Sequence, residues 1–135
     1  MTDEIRVKIT CPSDIVMARQ QGRGLSAKLG FLGSDLTIIA TAISEVARNI
    51  VEHAGKGEII LRSVEENPRR GIVIIAEDEG PGIPDIARAL QDGFSTGKGL
   101  GLGLPGTKRL MDEFEISSEV GKGTTISMKK WTYRE

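Results

Sequence analysis

The chain has one cysteine, Cys11, in 135 residues, so no internal disulfide can form. Charge of one sign is missing too. Eighteen Lys and Arg against nineteen Asp and Glu leave a formal net charge of −1, which gives no electrostatic footprint for nucleic acid or an anionic membrane. No apolar run approaches the roughly 20 residues a bilayer demands. The first residues, Met1-Thr2-Asp3-Glu4, are acidic rather than signal-like. These absences predict a cytoplasmic protein with neither membrane nor nucleic acid as partner. Cys11 precedes Pro12 at a strand exit with no base in view and reads as inert. The phosphate-gripping P-loop is also missing: Gly97-Lys98 is followed by Gly99 where that motif has Ser or Thr, and position 92 is Asp. What is present is ordinary for a globule, 39% apolar and 27% charged residues. The length predicts one domain over 1–135.

The least ordinary stretch is Gly93-Phe94-Ser95-Thr96-Gly97-Lys98-Gly99-Leu100-Gly101-Leu102-Gly103-Leu104-Pro105, with five of the 17 glycines. Alternating glycine suits neither helix nor packed strand, because each one costs backbone entropy on ordering. It suits a mobile loop whose bare N–H groups approach a ligand, and unpaired N–H groups attract phosphate. Leu100, Leu102 and Leu104 argue against a plain flexible linker. Gly101-x-Gly103-x-x-Gly106 matches the dinucleotide pattern by letter, yet no strand runs into it. A kinase glycine loop would be followed by Val and a Val-Ala-x-Lys strand, and neither follows.

Ile5, Val7 and Ile9 alternate with charged residues, the period of a half-buried strand. Pro12-Ser13-Asp14 opens a helix to about Leu29, closed by Gly30. Ser34-Asp35 caps a longer helix to about Ala54. Residues 58–65 and 71–78 read as strands joined by the turn-rich 66–70. Pro84 to Gln91 is a short helix with Pro in its first turn. A helix from about Leu104 to Met111 follows the glycine run, and strands over about 113–120 and 124–131 flank Gly121-Lys122-Gly123. This order predicts an α+β fold, a two-layer sandwich in which helices cover one face of a mainly antiparallel sheet.

On the second helix Leu36, Ile39, Ile43, Val46, Ala47 and Ile50 gather on one side. Glu45, Asn49 and Glu52 share the opposite face, either as a solvated surface or as a site. A carboxylate and an amide one turn apart can orient a hydrated Mg2+ and a nucleophile. His53 at that face's edge is explained by the helix dipole. The strand over 72–76 runs into Glu77-Asp78-Glu79-Gly80-Pro81-Gly82, more acid than a turn requires. Asp78 can accept a hydrogen bond from an exocyclic amine, while Gly80 and Gly82 let a flat base lie against the backbone. Gly123-Thr124-Thr125 is either a hairpin turn or the completion of that pocket.

Glu45-x-x-x-Asn49, Asp78-x-Gly80-x-Gly82, Gly99-x-Gly101-x-Gly103 and Gly123-Thr124, in that order over about 34–131, resemble the four boxes of the GHKL (Bergerat) ATPase superfamily. Ser44-Glu45-x-Ala47-Arg48-Asn49, Glu77-Asp78-x-Gly80-Pro81-Gly82-Ile83-Pro84-Asp85-Ile86 and Asp92-Gly93-Phe94-Ser95-Thr96 look like the bacterial anti-sigma-factor serine/threonine kinases, of the stressosome switch-kinase type. The resemblance implies a kinase that moves the ATP γ-phosphate to Ser or Thr of STAS-domain antagonist and scaffold proteins, and that binds and activates a PP2C-type phosphatase once released. It also implies roles. Asn49 would ligate Mg2+ and Glu45 would be the general base. Asp78 would hold the adenine amine in a pocket shaped by Gly80 and Gly82. The backbone of Gly97, Lys98, Gly99, Leu100, Gly101, Leu102 and Gly103 would close over the phosphates, and Thr124 or Thr125 would support the base. Lys98 is either a phosphate-directed cation or a solvated loop lysine. The alternative is a nucleotide-gated binding module with little turnover. A histidine kinase would want a dimerising helix before residue 34, and a gyrase- or MutL-like ATPase a transducer domain.

Overall fold

The computed structural model describes residues 4–82 and 103–133. Five strands form one fully antiparallel sheet in the order β1-β2-β3-β5-β4: β1 Glu4–Ile9, β2 Gly57–Glu66, β3 Arg69–Asp78, β4 Glu113–Glu119 and β5 Gly123–Tyr133. Three helices among the described residues accompany it: α1 Pro12–Leu29, α2 Ser34–His53 and α3 Gly103–Leu110. No helix among the described residues is long and apolar enough to cross a membrane.

Strand alternation divides the sheet into two unlike faces. Val7, Ile9, Ile59, Leu61, Ile72, Ile74, Ala76, Ile126 and Met128 are buried with Ile39, Ile43, Val46 and Ile50 of α2 and Ile15, Ala18 and Leu25 of α1. Removing each large aliphatic side chain from water contributes about 1.5–3 kcal/mol, and this continuous cluster is what fixes α2 against the sheet. Across the other face run charged rows. Glu4 meets Arg62 at 2.6 Å, Arg6 meets Glu58 at 2.9 Å, and Arg69 lies 3.7 Å over the Trp131 ring. Hydrogen bonds from Arg62, and then from Arg6, hold the Glu4 carboxyl below the usual carboxylate range.

The ends of α1 follow local chemistry. Pro12 occupies the first turn, where its missing N–H costs nothing, and the Asp14 carboxylate reaches back to the N–H and the hydroxyl of Thr10, each at 2.8 Å. At the other end Gly30 takes φ 100° and the Phe31 N–H returns to the Ser26 carbonyl at 3.1 Å, burying Phe31.

Three boundaries differ from expectation. Gly33, not Ser34, precedes α2, and it provides no side-chain cap. The Asp35 and Leu36 N–H groups reach the carbonyls of Leu32 and Gly33 instead, so no hydroxyl is required. The β2–β3 turn shrinks to Asn67-Pro68, because Glu66 and Arg69 continue the ladder and pair at 2.7 Å. β5 continues to Tyr133, since Trp131 packs on the charged face and gives its indole N–H to Glu113 at 2.7 Å. The expected helix from Pro84 to Gln91 lies outside the described residues.

Candidate active site

The second half of α2 carries the expected stripe, but its members differ in exposure. Glu45 is only 7% exposed, Asn49 is half-buried and Glu52 is exposed. A solvated helix face therefore does not describe Glu45. Arg48, one turn further on, places Nη1 3.2 Å from the Glu45 Oε1. A buried carboxylate needs such a partner, since an uncompensated buried charge costs several kcal/mol. His53 stands exposed in the last turn, where the helix dipole favours it.

Asp78 ends β3, opposite Gly57 on β2 and Thr124 on β5. Its Oδ1 accepts the Gly80 N–H at 2.9 Å and the Thr124 N–H at 3.3 Å. Among the described residues its Oδ2 takes no hydrogen bond. One carboxylate oxygen thus folds the following loop back onto the strand.

The loop after Asp78 is held on two sides. A Cβ on Gly80 would come within 2.6 Å of the Ala54 Cβ at the end of α2, and one on Gly82 within 2.5 Å of the Glu119 carbonyl oxygen. Gly82 also takes φ 80°, and the Gly121 N–H binds the Pro81 carbonyl at 2.9 Å. The chain's own packing already requires glycine at 80 and 82. That packing joins the end of α2, the Asp78 loop and the β4–β5 turn, so the separate sequence boxes on these elements share one end of the sheet.

Thr124 and Thr125 part company. Strand alternation puts Thr124 on the helix-covered face, 6% exposed, while Thr125 is exposed on the other face opposite Glu77. Only Thr124 adjoins Asp78. Its hydroxyl lies 2.8 Å from the Ser118 hydroxyl, which donates to the Gly123 carbonyl at 3.1 Å. Ser118 was not among the expected site residues. Counting back across the hairpin turn from Thr124 reaches it, because the two face each other in the β4–β5 register.

Of the glycine run, Gly103 is described: it opens α3 with φ 56°, and its carbonyl accepts the Thr107 hydroxyl at 2.8 Å. Gly97, Lys98, Gly99, Leu100, Gly101 and Leu102 lie outside the described residues.

Residues 34–133 match the model of the histidine kinase-, DNA gyrase B- and HSP90-like ATPases. The chain belongs to this ATPase family. It is 54% identical over 131 residues to the serine/threonine-protein kinase RsbT of Bacillus subtilis (strain 168), covering 97% of this chain and 98% of that relative. To an anti-sigma F factor of Geobacillus stearothermophilus it is 33% identical over 139 residues, covering 96% and 93%. Two solved structures share the fold of this ATPase. The RsbU and RsbW domains of Rv1364c from Mycobacterium tuberculosis give a TM-score of 0.61 at 23% identity, over all of this chain and 33% of that one. The mycobacterial sensor histidine kinase MprB gives 0.54 at 16% identity over the whole of both. By this kinship the ATPase is an enzyme of the serine/threonine protein kinase class.

Proposed function

We propose that the chain transfers the γ-phosphate of ATP to a serine or threonine of STAS-domain antagonist and scaffold proteins in a bacterial stress-signalling partner switch, and that once released it binds and activates a PP2C-type phosphatase. The observation that carries the reading is the buried Glu45 one turn before Asn49, on a helix whose end packs against the Asp78 loop. A carboxylate withdrawn from water and fixed by an arginine is placed for a task rather than left to decorate a surface.

In this reading the Asp78 Oδ2 accepts the adenine amine, Gly80 and Gly82 shape the base pocket, and Thr124 supports the base from the adjacent strand. Thr125, on the far face of the sheet, contributes through the backbone ladder at most. The backbone of 97–103 covers the phosphates. The acceptor hydroxyl oxygen attacks the γ-phosphorus, and its proton passes to the Glu45 carboxylate. As the new P–O bond forms, the bond from the γ-phosphorus to the bridging oxygen breaks, and ADP leaves with that electron pair. Positioning and charge neutralisation do most of this work.

The Asn49 amide oxygen is a hard donor that suits Mg2+. An ion at Asn49 would share its coordination with phosphate oxygens and water. There it would neutralise phosphate charge. The partner surface in this reading is the outer face of α1, where Val16 and Met17 are exposed beside Arg19 and Arg23.

Thermal melts with ATP, with and without Mg2+, test the nucleotide site. Mg-ATP should raise the melting temperature, and Asn49→Ala should abolish the metal-dependent part of the rise. Helix propensity alone would make that alanine mildly stabilising. A melting temperature unmoved by millimolar Mg-ATP would overturn the reading.

A further inference from the structure

The geometry points to Arg48 as a positioning residue for phosphoryl transfer: its guanidinium holds and aims the Glu45 carboxylate, and so acts through Glu45 rather than on the nucleotide. The inference rests on the reading of Glu45 as the base.

Arg48 and Asn49 stand at i+3 and i+4 from Glu45, so both project one turn along the helix and flank it. Their tasks divide. Asn49 presents a neutral amide. Arg48 sets a cation 3.2 Å from the Glu45 Oε1, and this contact needs no other element of the fold because both residues ride on α2. The Glu45 side chain is 6% exposed and that of Arg48 26%. The carboxylate is thus withdrawn from water, while the cation reaches the boundary of the site. That cation fixes the carboxylate's rotamer, and misplacement by about 1 Å can cost about 100-fold in rate.

Single-turnover transfer from labelled ATP to a STAS-domain protein should be measured for Arg48→Met, Arg48→Lys, Glu45→Gln and the double variant Arg48→Met/Glu45→Gln. Each is assayed below its own melting temperature, with ATP affinity determined in parallel. Arg48→Met should lower the transfer rate by about 10- to 100-fold while ATP affinity stays within about threefold. Arg48→Lys, which keeps a cation, should recover most of the rate. In the Glu45→Gln background the Met substitution should change the rate by less than about threefold, since a neutral amide has no charge to be held.

A purely structural ion pair would lower the melting temperature in the Glu45 background and leave the rate of the folded protein unchanged, which would overturn the inference. Multiplication of the two defects in the double variant would overturn it as well, as would parallel loss of ATP affinity and rate. The two levels of failure stay separate. Wild-type transfer by Glu45→Gln removes the base reading itself. A slow Glu45→Gln beside a fast Arg48→Met removes only the role of Arg48.

Discussion

The Asp78 Oδ1 accepts the backbone N–H of Thr124, 46 residues further along the chain, at 3.3 Å, in addition to the Gly80 N–H at 2.9 Å. One oxygen of Asp78 therefore ties the following loop to β5, and among the described residues the other takes no hydrogen bond.

That division makes Asp78→Asn informative. The amide oxygen can keep both backbone N–H groups, while the amide nitrogen replaces an acceptor with a donor. The fold should survive. ATP binding should weaken by about 1.5–3 kcal/mol, with discrimination against GTP eroded. Calorimetric titration with both nucleotides, beside a melt of the unliganded protein, checks this. Undiminished ATP binding would place the base elsewhere.

Glu45→Gln should show a kinetic defect. Transfer should fall roughly 100-fold, about 2.7 kcal/mol of barrier, with ATP affinity within a few-fold. Equal losses in rate and affinity, measured by single turnover and titration, would assign Glu45 to binding.

Two glycines two residues apart on α1 should respond with opposite signs. A Cβ on Gly24 meets nothing within 4 Å, so Gly24→Ala should stabilise by about 0.5–1 kcal/mol through helix propensity. A Cβ on Gly22 would strike the Cδ1 of Ile43, a fully buried side chain that would have to shift within the core. Overpacking costs about 1–3 kcal/mol, so Gly22→Ala should melt below wild type despite the same propensity gain. Chemical denaturation of both variants decides it.

The Asp14 cap predicts a pH dependence. The Thr10 N–H first, and then its hydroxyl, hold the Asp14 carboxyl below its ordinary value. A carboxyl with a depressed folded pKa stabilises above its unfolded value, about 3.9, and that contribution is lost as pH falls through the lower folded value. The melting-temperature gap between wild type and Asp14→Ala should hold steady from pH 8 to about 5 and narrow below about 4. A gap that widened in acid would contradict the assigned cap.

The periodic parts of the fold were legible in the sequence. Ile5, Val7 and Ile9 announced a half-buried strand, and Pro12 and Gly30 bracketed α1 as their backbone preferences require. The α2 start was misplaced because Ser34 looks like a cap, whereas the chain satisfies those N–H groups with carbonyls. For the candidate site, residues 45, 49 and 78 stood out in the sequence because each carries chemistry a bland surface does not need. The burial of Glu45 was not legible, because a helical pattern shows only which face a residue occupies, not what packs over it. Ser118 and the exposed placement of Thr125 depended on β4–β5 register, which a turn of uncertain length leaves open. That Gly80 and Gly82 also face Ala54 and Glu119 was not readable, because those approaches depend on how α2 and the β4–β5 turn pack around the loop.

The central claim is that a buried carboxylate on α2 serves the transfer of phosphate from ATP to a protein hydroxyl. Single-turnover incubation with γ-labelled ATP and a STAS-domain protein, followed by mapping of the labelled residue, tests it most directly. The account predicts label on a serine or threonine of the STAS protein, formed at a rate that Glu45→Gln lowers about 100-fold. Nucleotide-dependent binding of that protein without any transfer of label would contradict it.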